Sequence, residues 1–171
     1  MFHPTVFDNI KVAIENQIYD YDNLDGILVV TDRSDLVNMA LMSREFTLSF
    51  KLIGGQKVTA EIVLSASTKD LNDEILEVPN QNPGCNLQLR FYTQVENVAI
   101  QCQAIKSILH AIWGSDLRPL QALSFIYGEE SEVYNNCIEL QFKRQITEEQ
   151  MEDIPELLKH VLQSAEELES V

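Results

Sequence analysis

The chain has 171 residues, 45% hydrophobic and 23% charged, enough to bury a core without disulfides or metals. Lys plus Arg number 12 against 27 Asp plus Glu, a formal charge of −15. Such a surface repels nucleic-acid phosphates and anionic lipid headgroups, so the expected partners include neither nucleic acid nor membrane.

Residues 4–20 have helical spacing. Phe7, Ile10, Ile14, Ile18 and Tyr21 recur at three and four, with Asp8, Asn9, Glu15 and Asn16 on the other side. Pro4 suits a first helical position. Asp20, Asp22 and Asp25 precede Gly26, yet a calcium loop counted from Asp20 finds Leu24 at position five and Thr31 at position twelve. The segment therefore reads as an acidic turn. Residues 27–31 (ILVVT) predict a short buried strand and residues 32–35 (DRSD) a polar turn. Leu36 to Met42 alternates as a strand does, although Asp35 would also cap a short helix; strand is the favoured reading.

Arg44 to Ser67 carries the clearest pattern. Phe46, Leu48, Phe50 and Leu52 alternate with polar residues, and Val58, Ala60, Ile62 and Leu64 resume the alternation after Gly54-Gly55. Period two on both sides of Gly-Gly predicts a hairpin with one apolar face. Thr68 to Glu77 reads as a short helix, capped by Ser67 or Thr68. Residues 79–84 (PNQNPG) form a loop. Leu87, Leu89, Phe91 and Thr93 mark a strand.

A long helix follows from about Asn97 to Trp113, closed by Gly114, with Val98, Cys102, Ile105, Leu109 and Ile112 as its stripe. It is expected to be the main core helix. Leu120 to Tyr127 is apolar on both faces, which predicts a central strand covered on both sides. Tyr134 to Phe142 alternates, with Ile138, Leu140 and Phe142 inward. In the tail, Thr147 with Gln150 and, better, Asp153 with Glu156 fit capping boxes, and a helix starts near Ile154. Ile154, Leu158, Val161, Ala165 and Leu168 form its stripe. Glu166, Glu167 and Glu169 lie in its last turn, where the helix dipole disfavours anions; that end frays or is compensated by a basic partner.

This order predicts one α+β domain over residues 1–171. A mainly antiparallel sheet of about five to seven strands carries N-terminal, central and C-terminal helices packed mainly on one face. Cys85, Cys102 and Cys137 are odd in number and form no CxxC pair, which suits a reducing compartment. No apolar run reaches the ~20 residues that span a bilayer, and the N-terminus lacks a signal-peptide pattern. The expected location is cytoplasmic.

The chemistry is sparse. His3, His110 and His160 have no i, i+4 partner, and no cofactor or metal set is expected. Cys102 sits on a core stripe, Cys137 faces outward, and Cys85 at a strand start is the most plausible reactive thiol, with no cation nearby in sequence to activate it. Gly54-Gly55 lacks a phosphate-loop frame, and no GxSxG occurs.

The favoured function is a non-enzymatic protein-binding module, adaptor or chaperone-like. Leu158, Val161, Glu166, Glu167, Leu168 and Glu169 are its expected partner-facing residues. In element order and acidity the chain resembles small acidic secretion-chaperone-like α+β domains, and that resemblance implies a homodimer. The alternative is a small-molecule binder or enzyme with its pocket between sheet and helices. It would use Tyr92, Cys137 or Glu139, with Arg90 and Lys143 as the available cations.

Overall fold

The computed structural model describes residues 5–171. His3 and Pro4 lie outside this range. Four α-helices and seven strands follow in order: α1 (Thr5–Asn23), β1 (Leu28–Asn38), β2 (Ser43–Leu52), β3 (Thr59–Ala66), α2 (Thr68–Ile75), β4 (Gly84–Val95), α3 (Val98–Trp113), β5 (Leu120–Ser124), β6 (Tyr134–Gln141), β7 (Ile146–Thr147) and α4 (Ile154–Glu169). A 3-10 helix, Glu148–Asp153, leads into α4. The fold is α+β, with one antiparallel sheet in the order β1-β2-β3-β4-β6-β5, and β7 pairs with the start of β4.

The alternating residues of the hairpin build the sheet's covered face. Phe46, Leu48, Phe50, Ile62, Leu64, Leu89, Phe91, Ile138 and Leu140 are all buried in one core cluster. Phe7, Ile10, Ile14 and Ile18 of α1 and the whole α4 stripe join them from the helical layer. Each fully buried large side chain contributes about 1.5–3 kcal/mol. Strands β2 and β3 pair from Arg44↔Ala66 to Phe50↔Ala60, and residues 53–58 connect them.

Several expectations are corrected. The short strand, the polar turn and the strand or helix expected over residues 27–42 are one long strand, β1, closed by a turn at residues 39–42. A bulge between Val30 and Asp32 shifts its register, so that Arg33 pairs with Leu48 and Asp35 with Phe46. Arg33 and Asp35 thereby share the side chain alternation of the helix-facing residues. Arg33 reaches Glu15 of α1 at 2.6 Å and sits 5.4 Å from the Phe46 ring centroid. Asp35 receives Lys11 Nζ at 2.8 Å and Arg44 Nη2 at 3.1 Å, and Arg44 also reaches Asp8 at 2.9 Å. Charges that look like a turn in sequence are complementary to charges on α1.

Helix α3 is not the main core helix. Only Ile105 and Leu109 are buried, and Ile100 is exposed; α1 and α4 carry most of the helical core. Strand β5 is an edge strand rather than a central one, with Leu120 and Leu123 exposed. At the tail, the Thr147–Gln150 capping box forms, whereas Asp153 makes no capping hydrogen bond with its side chain. Among the described residues, no helix is long and apolar enough to cross a membrane.

Candidate functional site

Among the described residues no helix packs on the sheet's second face, and strand alternation gathers polar residues there. Across five strands, Ser49 pairs with Glu61, Glu61 with Arg90, Arg90 with Glu139, and Glu139 with Leu120. Glu61 is the hub of this row. Its Oε1 accepts hydrogen bonds from Arg90 Nη1 at 3.1 Å and Tyr92 Oη at 3.0 Å, and its Oε2 accepts one from Ser49 Oγ at 3.0 Å. Arg90 Nε lies 3.9 Å from Glu139 Oε2. In the next row Tyr92 pairs with Cys137.

Tyr92, Cys137, Glu139 and Arg90 are therefore neighbours, but on the uncovered face and not between sheet and helices. Burial, and then the hydrogen bond to Glu61, push the Tyr92 phenol up to about 12. Burial also raises the Cys137 thiol. Neither group is an ionised nucleophile near neutral pH. Two carboxylates occupy Arg90, so it is not a free anchor for an anionic ligand.

Lys143 lies elsewhere, in a cleft of about 440 Å³ between the end of α3, residues 142–146 and the start of α4. Trp113, Leu117, Phe142 and Leu157 give this cleft an apolar lining, and Lys143 and Arg144 are balanced there by Asp116 and Asp153. Trp113 is fixed from behind. Its Nε1 donates to Ser164 Oγ at 2.8 Å, Ser164 Oγ donates to the His160 carbonyl at 2.7 Å, and Phe142 meets the indole edge-on at 5.6 Å. His160 Nδ1 is 2.9 Å from the Glu156 carbonyl oxygen, so that ring is held on its own helix.

The remaining cysteines offer no reactive centre. Burial pushes the Cys85 thiol up to about 12, and Asp70 and Glu74 add to the effect. Cys102 is raised by burial as well. Among the described residues, no group of three or more His, Cys, Asp or Glu is arranged to hold a metal ion. Asp20 and Asp22, expected in an acidic turn, lie in the last turns of α1, and Asp22 accepts the Val30 N–H at 2.9 Å, a structural use of that carboxylate.

The C-terminal residues divide. Leu158, Val161 and Leu168 are buried in the core, so this part of the stripe is occupied by the chain itself. Glu166 is exposed, and Glu167 accepts from Gln163 Nε2 at 2.9 Å. Glu169 is compensated within the chain. Its carboxylate accepts the backbone N–H groups of Gln56, Lys57 and Val58 at 3.3, 3.1 and 2.8 Å. Three amides of the β2–β3 loop thus do what a basic partner was expected to do for this residue.

Several apolar surfaces are uncovered among the described residues, Leu24, Ile27 and Ile53 at one end of β1–β2 and Ile75 and Leu76 at the end of α2 among them, and two are the most extensive in sequence. One is the β1–β2 hairpin tip, where Leu36, Val37, Met39, Leu41 and Met42 are all exposed. This tip is ordered: Asn38 Oδ1 accepts the N–H groups of Ala40 and Leu41, each at 3.1 Å, and Thr68 Oγ1 donates to the Leu41 carbonyl. The other is β5 with the residues after it. No family model matches the chain, and no curated protein or solved structure matches it either.

Proposed function

We propose that the chain is a non-enzymatic protein-binding module, adaptor or chaperone-like, that docks a partner on the β1–β2 hairpin tip. The observation that carries this reading is the run of five exposed large apolar side chains within residues 36–42, on a tip held by Asn38 and Thr68. Exposed apolar clusters of this kind mark interaction surfaces, and two methionines suit a partner of variable shape. With a formal charge of −15, the partner is an apolar segment flanked by basic residues. Glu166 lies at the other end of β1 and β2, beside Ile27 and Leu52, and is not part of this tip surface.

The test is purification of the tagged full chain from its native cells, alongside a Met39→Asp/Leu41→Asp variant of unchanged melting temperature. A stoichiometric protein retained by the parent chain and lost by the variant supports the reading. Retention by both, or recovery of the parent chain with no partner, refutes it.

The Trp113 cleft favours a second reading, a small-molecule binder. Its volume of about 440 Å³ falls within the usual range for ligand sites, and an aromatic lining whose Lys143 and Arg144 are balanced by Asp116 and Asp153 suits an apolar ligand with no net charge. Trp113 is the only tryptophan, so a screen of small apolar compounds read by its fluorescence reports on this cleft directly. No change in either fluorescence or melting temperature counts against it.

A further inference from the structure

We propose that the end of the sheet around Tyr92 and Gln94 is a binding site for an uncharged, polyhydroxylated ligand, a mono- or disaccharide in size. A cleft of about 720 Å³ lies there, within the usual range for ligand sites. Strand β4 brings Tyr92 and Gln94 to it, β6 brings Asn135, and the loop before β3 brings Gln56 and Lys57. Glu96 and Gln101 line it at the start of α3. Register explains the gathering. Gln94 pairs with Asn135, and Tyr92 stands two positions before Gln94, so alternation puts the three side chains on the uncovered face.

The chain itself holds this lining in place. Gln94 Nε2 donates to Asn135 Oδ1 at 3.1 Å, which leaves the Gln94 Oε1 acceptor and the Asn135 Nδ2 donor for a ligand. Gln101 Oε1 accepts the N–H groups of Glu96 and Asn97 at 2.7 and 2.9 Å, and its Nε2 donates to the main-chain oxygen of Val171 at 3.1 Å. The Tyr92 hydroxyl is tied to Glu61 at 3.0 Å, which orients the ring while 37% of the residue stays exposed. The backbone N–H groups of Gln56 and Lys57 are tied to Glu169, so their side chains extend from an anchored loop.

The lining selects the class of ligand. Four primary amides, Gln56, Gln94, Gln101 and Asn135, each offer donors and an acceptor, which matches hydroxyl groups that donate and accept at once. The charged side chains are Lys57 and Glu96, one of each sign, in a chain of −15. An anion finds no surplus of cations here and meets the repulsion of the whole chain, and Lys57 opposes a cation. A peptide added as an extra strand is excluded, because β4 has β3 on one side and β6 on the other and offers no edge. A sugar ring carries hydroxyls around its rim and C–H groups on its face, which suit the amides and the Tyr92 ring respectively. The cleft lies at the β2–β3 loop, and the hairpin tip at the far end of β2, so this site does not depend on the tip.

The experiment is an NMR titration of the isotope-labelled full chain with glucose, maltose, cellobiose, lactose and diacetylchitobiose, each to about 20 mM, with glucose 6-phosphate as the charged comparison. At least one neutral sugar is expected to shift the side-chain amides of Gln94 and Asn135, with a Kd of about 1 mM or tighter. Tyr92→Ala removes the stacking ring and is expected to weaken that binding about tenfold. Asn135→Ala, at an exposed position, is expected to weaken it several-fold at an unchanged melting temperature, and it carries the test if Tyr92→Ala does not fold. No shift with any neutral sugar overturns the proposal. So do binding indifferent to these variants, shifts confined to the Trp113 cleft, and tighter binding of glucose 6-phosphate than of every neutral sugar. None of these results bears on capture of a partner by the hairpin tip.

Discussion

Glu169→Ala tests how the C-terminal helix is locked to the sheet. The Val58 N–H to Glu169 bond, at 2.8 Å, is partly buried, and a charged hydrogen bond of that kind is worth about 1.5–3 kcal/mol. The Gln56 and Lys57 bonds are exposed and together add no more than about 1 kcal/mol, because water replaces the carboxylate. An acid at a helix C-terminus costs a few tenths of a kcal/mol, which the substitution recovers. The net loss is about 2–3 kcal/mol, or roughly 5–10 °C in melting temperature for a chain of this size. Gly55 sharpens the test. A Cβ at Gly55 meets Glu169 Oε1 at 2.7 Å, so Gly55→Ala displaces the same carboxylate and destabilises the parent chain. In the Glu169→Ala background that atom is gone and only the Leu52 carbonyl oxygen, at 3.2 Å, stays close, so Gly55→Ala costs less there than in the parent chain. The assay is thermal unfolding of both single variants and the double variant. A shift under about 1 °C for Glu169→Ala, or strict additivity in the double variant, refutes the lock.

Asp35 links α1 to β1. Burial alone raises its carboxyl, but hydrogen bonds from Arg44 and Lys11 outweigh it and hold the group below the usual range. A depressed folded-state value stabilises above the unfolded value of about 3.8, and this contribution disappears as pH falls through the folded value. Asp35→Asn therefore lowers the melting temperature at neutral pH, and the two curves converge as pH falls below about 4; a constant gap down to pH 2 counts against the network. Ser164→Ala leaves the Trp113 indole N–H without its 2.8 Å acceptor and costs about 1–2 kcal/mol, with a shift in Trp113 emission as the second readout. Cys85, buried and pushed up to about 12, resists maleimide in the native chain at neutral pH and reacts only when denaturant is added; rapid native labelling contradicts its placement.

How much of this was legible depends on which force set each element. Stripes at helical spacing in α1 and α4 follow from burial on one side, and the structure buries Phe7, Ile10, Leu158 and Val161 accordingly. Alternation in β4 and β6 puts Arg90 and Tyr92 on one face with Cys137 and Glu139, but which face the helices cover is a tertiary fact that no single strand encodes. The residues 32–35 failed for another reason. Apolar alternation is the signal for a strand, and here charge replaces it, because Lys11 and Glu15 of α1 supply the partners for Asp35 and Arg33.

The reading of β5 is the most informative miss. Its run of apolar residues on both faces implies a strand flanked on both sides, yet in one chain β5 stands at the edge. Hydrophobic patterning records total burial and does not distinguish cover by the same chain from cover by another. The two edges of the sheet also differ in charge: β1 carries Asp32, Arg33 and Asp35, and β5 carries none.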